Sequence, residues 1–305
     1  MKHVAAVVVT YNRINKLQQC IYALKNQTVP CDILLVDNAS TDGTSTWVQQ
    51  YIAASKGIFY KNTEKNIGGA GGFNLGMRWA VEAGYEFIWV MDDDCIPEVN
   101  ALEALKNAHK YLNGEYGFLS SVVFWKDGHG CKMNQQKIKK NYYEKAEFLR
   151  EGIIPIEQAT FVSTLFPAEI IRQVGLPIKE FFVWGDDIEY TRRISVEWKH
   201  SGYLIAKSNV IHMMDENTGS DIALEEDAKR IERYKFAFRN EQFIYRREGI
   251  KGKVFYAGKV VFNLVKIWMK SKKFRVKKSK ILLTGAFQGI TFHPEYEYVT
   301  RRGNR

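Results

Sequence analysis

The first hundred residues alternate between short apolar runs and segments with helical spacing. The valine-rich apolar run at residues 4–9 predicts a strand buried on both faces. Apolar residues at positions 14, 17, 21 and 24 recur at the helical period and predict a helix over residues 14–26. The same criteria predict strands at 33–36, 57–60 and 87–91, and helices at 44–54 and 73–83. This alternation favours a parallel sheet with crossover helices, in which ligands bind beyond the carboxyl ends of the strands.

The pattern changes along the rest of the chain. Residues 97–211 are less regular, with a predicted helix at 101–112, a predicted strand at 118–124 and a Lys/Asn/Gln-rich excursion at 132–143. After about residue 221 the spacing becomes helical. We therefore expect an α/β domain over residues 1–220 and a helical region over residues 221–305.

The net charge of +10 is concentrated in the helical region. Residues 246–280 contain 13 lysine or arginine residues and a single acid, Glu248. Apolar positions 254, 257, 261, 264, 265 and 268 recur at helical spacing, with the lysines mostly off that stripe. Such a basic amphipathic helix indicates a membrane-surface element attracted to anionic lipid, the alternative being that the stripe packs on the rest of the protein. Zinc-finger, homeodomain and RRM signatures are missing, so no nucleic-acid partner is expected.

Four cysteines lie far apart in the chain and form no CxxC pair. This spacing excludes a zinc ribbon and a disulfide framework, and it is typical of a reducing cytoplasm. No apolar run approaches the roughly 20 residues that span a bilayer, and the run at residues 4–9 is too short for a signal peptide. We expect a cytoplasmic protein that is peripheral on the inner face of the cell membrane.

Four glycines within five positions follow the third predicted strand, in Asn66-Ile-Gly-Gly-Ala-Gly-Gly-Phe73. The dinucleotide-binding fingerprint GxGxxG fails here, because Asn74 stands at its last position and the first strand is not followed by glycine. Glycine allows positive φ and a close approach to the backbone. We expect these glycines to let a bulky ligand lie against the main chain; a plain helix-entry loop is the alternative.

Three aspartates, Asp92, Asp93 and Asp94, end the fourth predicted strand. Because side chains alternate along a strand, Asp92 and Asp94 are expected on one side and Asp93 on the other. Paired carboxylates are hard oxygen ligands suited to Mg²⁺ or Mn²⁺ on a diphosphate; a solvated acidic turn is the alternative. His212 ends a short apolar run, where a structural role is commonest, and as a ligand it would favour Mn²⁺.

A second acidic cluster comprises Asp186, Asp187 and Glu189, which follow the aromatic residues of Phe182-Val-Trp-Gly. A carboxylate in a partly apolar pocket can serve as a general base. The alternative is a helix start that Asp186 caps, with further acids in the first turn. Both roles are compatible, since a cap can place the next carboxylate in a cleft.

Six motifs occur in order: Thr10-Tyr-Asn-Arg13, Val36-Asp-Asn-Ala-Ser-Thr-Asp-Gly-Thr44, Asn66-Ile-Gly-Gly, Asp92-Asp-Asp94, Trp184-Gly-Asp-Asp187 and His212. Over about residues 3–215 the chain resembles the family 2 inverting glycosyltransferases of GT-A fold. The glycine cluster and the triple aspartate look most like galactofuranosyltransferases and some related rhamnosyltransferases. One departure is Gly185, since the galactofuranosyl enzymes tend to have Trp directly before Asp-Asp. The resemblance implies a Rossmann-like mixed α/β sheet flanked by helices, with a C-terminal helical appendage.

The resemblance also implies roles for individual residues. The nucleotide-sugar donor would be held by Thr10, Asn12, Arg13, Asp37, Asn66, Gly68, Gly69, Gly72, Asp92 and Asp93. A Mn²⁺ or Mg²⁺ cofactor would bind at Asp92, Asp94 and His212. Asp187 would be the general base, with Asp186 and Glu189 orienting acceptor hydroxyls and Trp184 packing against the acceptor sugar.

These implied roles are those of an inverting, metal-dependent glycosyltransferase. The expected reaction transfers galactofuranose from UDP-galactofuranose to a glycan or lipid-linked glycan in bacterial surface polysaccharide synthesis. A rhamnosyltransferase that uses dTDP- or UDP-rhamnose is the first alternative. A nucleotidyltransferase, which also uses paired aspartates and a cation, is the alternative from another class, although it would not need the Trp-Gly-Asp-Asp pocket.

Overall fold

The computed structural model describes residues 2–299, and in residues 2, 3, 53 and 54 the main chain only. The strands in this range are β1 (Lys2–Thr10), β2 (Asp32–Asp37), β3 (Ile58–Asn62), β4 (Tyr85–Asp92), β5 (Cys95–Pro97), β6 (Phe118–Trp125), β7 (Lys137–Ile138), β8 (Ile153–Gln158), β9 (Thr164–Pro167) and β10 (Gly202–His212). They form one sheet in the order β3-β2-β1-β4-β9-β6-β10-β8-β7, with β5 paired to β10.

Helices flank this sheet and continue beyond it. In the described range they are α1 (Ile14–Lys25), α2 (Thr44–Ala54), α3 (Gly68–Glu82), α4 (Ala101–Tyr111), α5 (Ala146–Arg150), α6 (Ala168–Val174), α7 (Asp186–Arg192), α8 (Ala228–Arg247), α9 (Gly249–Lys270) and α10 (Arg275–Thr291). Side chains from α1, α2 and α4 pack with Val4, Ala6 and Val8 of β1 in one buried cluster. Side chains from α3 and α6 pack with Ala5, Val7 and Val9 in another, so β1 is buried on both faces as its apolar run predicts.

The parallel half of the sheet brings three polar strand ends together. Strand β1 runs parallel to β2 and β4, and its last residues pair Thr10 with Asp37 and Val9 with Asp92. Beyond β4 the sheet is mixed, because β9 lies antiparallel between β4 and β6. The carboxyl ends of β1, β2 and β4 therefore form one edge, where α/β sheets bind ligands.

Helix α3 begins within the glycine cluster, five residues before the predicted start. A Cβ atom added at Gly72 would lie 2.5 Å from Cγ1 of Val9, and one at Gly76 would lie 2.4 Å from Cγ1 of Val7. Glycine at these two positions lets the helix approach β1 closely. Tertiary packing therefore outweighs the low helix propensity of glycine, which costs about 1 kcal/mol per residue relative to alanine.

The C-terminal helices α8, α9 and α10 pack on one another and share a buried cluster with Trp184. Gly285 and Gly289 let α10 approach α8, since a Cβ atom at either would meet a backbone oxygen of α8 within 2.6 Å. None of the helices in the described residues is long and apolar enough to cross a membrane. The expected helical region extends to residue 305, and residues 300–305 lie outside the described range.

The segment after α10 returns to the sheet region. The carbonyl oxygen of Glu297 accepts a hydrogen bond from the amide of Leu176 at 2.7 Å, and its carboxylate pairs with Arg78 and Lys179. Val299 is buried in the same cluster as β1. The C-terminal segment therefore completes the core that the first strand begins.

Candidate active site

The loop after β1 faces the triple aspartate. Thr10 Oγ1 donates a hydrogen bond to Oδ2 of Asp93 at 2.7 Å. One guanidinium nitrogen of Arg13 contacts Oδ1 of Asp93 at 3.3 Å and Oδ2 of Asp94 at 2.9 Å. Lys16, on the first turn of α1, lies 3.7 Å from the same Asp94 oxygen. Two cations of the β1–α1 segment therefore offset the charge of the aspartates.

The strand predicted over residues 87–91 ends at Asp92, and Asp93 and Asp94 form a turn instead of continuing the strand alternation. The expectation that Asp93 would point away from Asp94 is therefore wrong, since Arg13 contacts both. Burial raises the pKa of Asp92 to about 7, and the charge of Asp94 adds to this effect. Burial likewise raises the pKa of Asp93 to about 6, against the opposing effect of Arg13.

His212 lies at the end of β10, beside Asp94. Its Nε2 atom is 3.1 Å from Oδ1 of Asp94, and its Nδ1 atom donates to Oδ1 of Asn134 at 2.7 Å. Burial alone would lower the pKa of His212, but the hydrogen bonds with Asp94 and Cys131 and the charges of Asp94 and Asp92 together outweigh burial and raise the pKa to about 10. Burial would raise the pKa of Asp94, but His212, Arg13 and Lys16 hold it at about 2.

Asp94 and His212 fit a divalent cation. The amide of Asn134 is oriented by its own hydrogen bond to Thr160 at 3.0 Å, so its oxygen faces Nδ1 and leaves Nε2 directed at the carboxylate. Among the described residues, the acidic, thiol and imidazole ligand atoms within 4.8 Å of one another belong to Asp94, Cys95 and His212. Burial raises the pKa of the Cys95 thiol, and a protonated thiol is a poor ligand for Mg²⁺ or Mn²⁺. Asp92, which was expected as a ligand, is not in this group.

The loops after β1 and β2 are fastened together. Asn12, at φ +53°, accepts a hydrogen bond from the amide of Thr41 at 2.6 Å, and its own amide donates to Ser40 Oγ at 2.9 Å. Asp37 is fully buried and accepts hydrogen bonds from the Ser40 amide and the Tyr60 hydroxyl, at 2.9 and 2.7 Å. The structure thus brings Asn12 and Asp37 to the same edge as Thr10 and the triple aspartate.

The glycine cluster packs closely against the backbone of Phe182 and against strand β1. Gly68 has φ +75°, and a Cβ atom there would lie 2.0 Å from the carbonyl oxygen of Phe182. Asn66 fixes this turn by accepting a hydrogen bond from the Gly68 amide at 2.8 Å. Gly72 packs on β1, whereas Gly69 has open space at its Cβ position. Protein atoms therefore fill the space beside Gly68 and Gly72 that was expected for a ligand, whereas the space beside Gly69 is open.

Asp186 and Asp187 begin helix α7. The N-cap is Gly185 at φ +88°, so the alternative in which Asp186 caps the helix is wrong. Burial raises the pKa of Asp186 well above its usual range, and the charges of Asp187 and Asp92 add to this effect. Burial also raises the pKa of Asp187 to about 6, although its Oδ1 accepts a hydrogen bond from the Ile188 amide at 2.7 Å. The charge of Asp92, at the end of β4, therefore reaches the acid pair at the start of α7.

Glu189 does not face this space as an acceptor-binding group. It is buried and forms a salt bridge with Arg193, four residues along the chain and directly after α7, at 3.0 Å. Its other oxygen also contacts Arg247 at 3.4 Å and the hydroxyl of Tyr296 at 3.3 Å. Both carboxylate oxygens are thus engaged by the protein, and the expected role in orienting acceptor hydroxyls is a misassignment. The i, i+4 spacing to Arg193 is the sequence signal that points to the pairing.

Trp184 is half-buried and packs on the C-terminal helices. Its ring lies 4.9 Å from that of Tyr234 in an edge-to-face arrangement, and its carbonyl oxygen accepts a hydrogen bond from Asn240 at 2.7 Å. Sequence reasoning missed Asn240 and Asn134, because each lies in a polar segment far along the chain from the residue it contacts. Neither position carries a local pattern from which its contact could be read.

Residues 5–168, more than half of the chain, match the family model described as Glycosyl transferase family 2. The chain belongs to this family. The chain is 30% identical over 200 residues to galactofuranosyltransferase GlfT1 of Mycobacterium tuberculosis strain H37Rv. This match covers 63% of the chain and 64% of GlfT1. The chain is also 25% identical over 301 residues to dTDP-rhamnosyl transferase RfbF of Shigella flexneri, covering 95% and 97% of the two chains. The chain therefore spans less than two thirds of the first relative and nearly all of the second.

Among solved structures, the family 2 chain resembles GalNAc-T7, crystallised with UDP, GalNAc and Mn²⁺. The TM-score is 0.59 at 13% sequence identity, and the match covers 93% of this chain and 57% of that one. At this identity the likeness bears on the fold alone. It agrees with the mixed sheet flanked by helices, which is the GT-A fold.

Proposed function

We propose that the protein is an inverting glycosyltransferase that transfers galactofuranose from UDP-galactofuranose to a glycan or lipid-linked glycan. The observation that carries this proposal is that the acid pair at the start of α7 lies within electrostatic reach of the acids at the end of β4. The charge of Asp92, at the end of β4, contributes to the raised pKa of Asp186, which begins α7. In this proposal Asp92 lies on the donor side and the acid pair on the acceptor side of one site, and the similarity to GlfT1 supports the choice of donor.

On the donor side, Asp94 and His212 would hold a divalent cation, and Mn²⁺ suits an imidazole ligand better than Mg²⁺ does. When bound, that ion offsets negative charge on the departing diphosphate. Thr10 and Arg13 keep Asp93 and Asp94 in place. The loops joined by Asn12 and Asp37 would receive the base and ribose, with Asn66 and Gly69 on the sugar side.

On the acceptor side, Asp187 takes the proton from the attacking hydroxyl. A bond forms between that oxygen and the anomeric carbon while the bond to the diphosphate oxygen breaks, and UDP leaves with the electron pair. A single displacement without a covalent enzyme intermediate inverts the configuration. A carboxylate with a pKa of about 6 is a stronger base than an ordinary aspartate and remains deprotonated near neutral pH.

The second candidate is a rhamnosyltransferase. The similarity to RfbF extends over 95% of the chain and includes the C-terminal helices, whereas the similarity to GlfT1 covers 63%. A donor panel with UDP-galactofuranose, UDP-galactose, UDP-glucose and dTDP-rhamnose separates the two, with purified protein, Mn²⁺ and alkyl glycosides as acceptors. We expect the fastest nucleotide release from UDP-galactofuranose.

Release from dTDP-rhamnose alone would favour the second candidate. The absence of release from every donor, together with pyrophosphate formation from a sugar 1-phosphate and UTP or dTTP, would contradict both and favour a nucleotidyltransferase.

The proposed setting is the inner face of the cell membrane in bacterial surface polysaccharide synthesis, with α9 against anionic lipid. Val254, Val261, Val265 and Trp268 each expose more than half of their surface along one side of α9. Exposed lysines lie at the end of α9 and directly after it, at positions 270, 272 and 273. An exposed apolar face beside basic residues is typical of a helix at a lipid interface. The enzyme would thereby be held where a lipid-linked acceptor lies.

A further inference from the structure

The backbone before Asp186 is unusual. Phe182 and Trp184 both have φ +63°, and Gly185 has φ +88°. Residues with a Cβ atom seldom adopt a positive φ, and they keep it only when the surrounding structure holds them there. Whatever holds residues 182–185 therefore decides where helix α7 begins and where the carboxylate of Asp187 lies.

Asn240, on α8, holds most of this segment. Its amide nitrogen donates to the carbonyl oxygens of Phe181, Val183 and Trp184, at 3.1, 3.3 and 2.7 Å. Its amide oxygen accepts two hydrogen bonds from the Arg239 guanidinium, at 3.0 and 2.9 Å. The side chain is fully buried. The guanidinium fixes the orientation of the amide, so its NH₂ group faces the segment.

Arg239 and the glycine cluster bind the carbonyl groups of residues 180–182. Arg239 donates to Glu180 and Phe181 at 2.6 and 3.2 Å. The carbonyl oxygen of Phe182 accepts from the Ala70 amide, in the glycine cluster, at 3.2 Å. Five successive carbonyl groups, 180–184, thus have partners outside the segment, and four of the five are held by α8.

We infer that Asn240 is a positioning residue, which sets the backbone of residues 181–184 from the C-terminal helices and thereby places Asp187 for proton transfer. This inference rests on the proposed role of Asp187. It gives the C-terminal helices a part in the chemistry that is separate from any contact with lipid. Asn240 lies outside the donor edge, so its loss should affect turnover more than donor binding.

The test uses Asn240→Asp and Asn240→Ala in the full chain. The aspartate keeps the shape but turns a carboxylate oxygen toward three carbonyl oxygens, whereas alanine removes the donors without adding charge. We expect kcat for nucleotide release to fall at least 10-fold, while KM for UDP-galactofuranose changes less than about 3-fold. Amide hydrogen exchange in residues 182–188 should become at least 10-fold faster. The matched control is Asn263→Asp, on α9, whose amide donates to Lys259 in its own helix at 2.9 Å.

Several results would overturn the inference. One is a folded Asn240→Ala protein with kcat and exchange like those of the wild type. Another is an equal loss of kcat in the Asn263 variant, or a rise in KM that accounts for the whole effect. If Asn240→Asp does not fold, Asn240→Ala decides. If the wild type releases no nucleotide from any donor, the proposed function fails, and hydrogen exchange still reports whether Asn240 holds the segment.

Discussion

At the scale of single residues, Asp187 carries the proposed chemistry. Its replacement by asparagine keeps the shape and the hydrogen bond from the Ile188 amide, but an amide cannot take a proton. We expect Asp187→Asn to lower kcat by roughly 10²-fold or more, the usual effect of removing a general base. Donor affinity, measured by calorimetry with UDP, should stay within about 3-fold. A variant that retains a tenth of wild-type activity would show that another group is the base.

The raised pKa of Asp187 predicts the pH dependence of transfer. Because the base acts when deprotonated, kcat at saturating donor should rise with pH and reach half of its maximum near pH 6. Burial also raises the pKa of Asp186 well above its usual range. The residual activity of Asp187→Asn serves as the control, since it should not rise with pH around pH 6. A half-maximum near pH 4 would mean that the carboxylate is not buried in the working enzyme.

Asp94, His212 and Asn134 make metal dependence testable. EDTA should abolish transfer, and Mn²⁺ should restore it better than Mg²⁺. Asp94→Ala should weaken UDP binding only in the presence of Mn²⁺, and Asp92→Ala should do so less, because Asp92 lies outside the group of neighbouring ligand atoms. Asn134→Ala should lower Mn²⁺ affinity by about 10-fold or more, since Asn134 orients the imidazole. Full activity in EDTA would rule out a metal requirement.

At the scale of elements, helix α3 offers a matched pair of substitutions. Gly72→Ala would press a methyl group against Val9, and such overpacking costs about 1–3 kcal/mol of unfolding free energy. Gly69→Ala meets open space, and alanine favours a helix by about 1 kcal/mol over glycine. Thermal unfolding without donor should therefore show a lower midpoint for Gly72→Ala alone. Equal midpoints for the two variants would show that α3 can move away from β1.

The elements differ in how far the sequence alone predicts them. Helices α1, α2 and α4 begin at their predicted residues, because their apolar spacing is regular and each packs on the sheet. The start of α3 was missed because glycine is a poor helix former. The glycines are needed for the close packing of α3 on β1, which the local sequence does not show. Within the site, residue type and position suggested Asp94 as a metal ligand, whereas His212 was included only through the family resemblance. Asn134 was not predicted, since it lies in an irregular segment 78 residues before the histidine it orients.

At the scale of the whole molecule, the C-terminal basic residues do not form one uniform patch. Lys278 is buried and donates to the carbonyl of Ala223 at 2.9 Å, and Lys277 forms a salt bridge with Glu232 at 2.7 Å. The charge count in the sequence does not reveal these partners. Lys270, Lys272 and Lys273, in contrast, are exposed next to the apolar face of α9.

Vesicle binding should therefore depend on those three exposed lysines. Each basic residue near an anionic leaflet contributes roughly 1 kcal/mol, so replacing all three by glutamine should weaken binding on the order of 10²-fold. The control replaces Lys56, Lys110 and Lys140, which are exposed elsewhere, and should change binding much less. Cosedimentation with anionic vesicles at low and high salt measures the effect. The absence of wild-type binding at low salt would refute the lipid contact.

The contact of residues 297–299 with the core has a consequence for biosynthesis. Glu297 accepts the hydrogen bond of the Leu176 amide, and Val299 packs in the apolar cluster around β1. Both residues are translated more than a hundred residues after Leu176. While the ribosome is still making α8, α9 and α10, this part of the nascent domain stays uncovered. Exposed apolar surface in a partly made chain invites association with other chains and with chaperones. Folding of the catalytic half is thus tied to the synthesis of residues far beyond it.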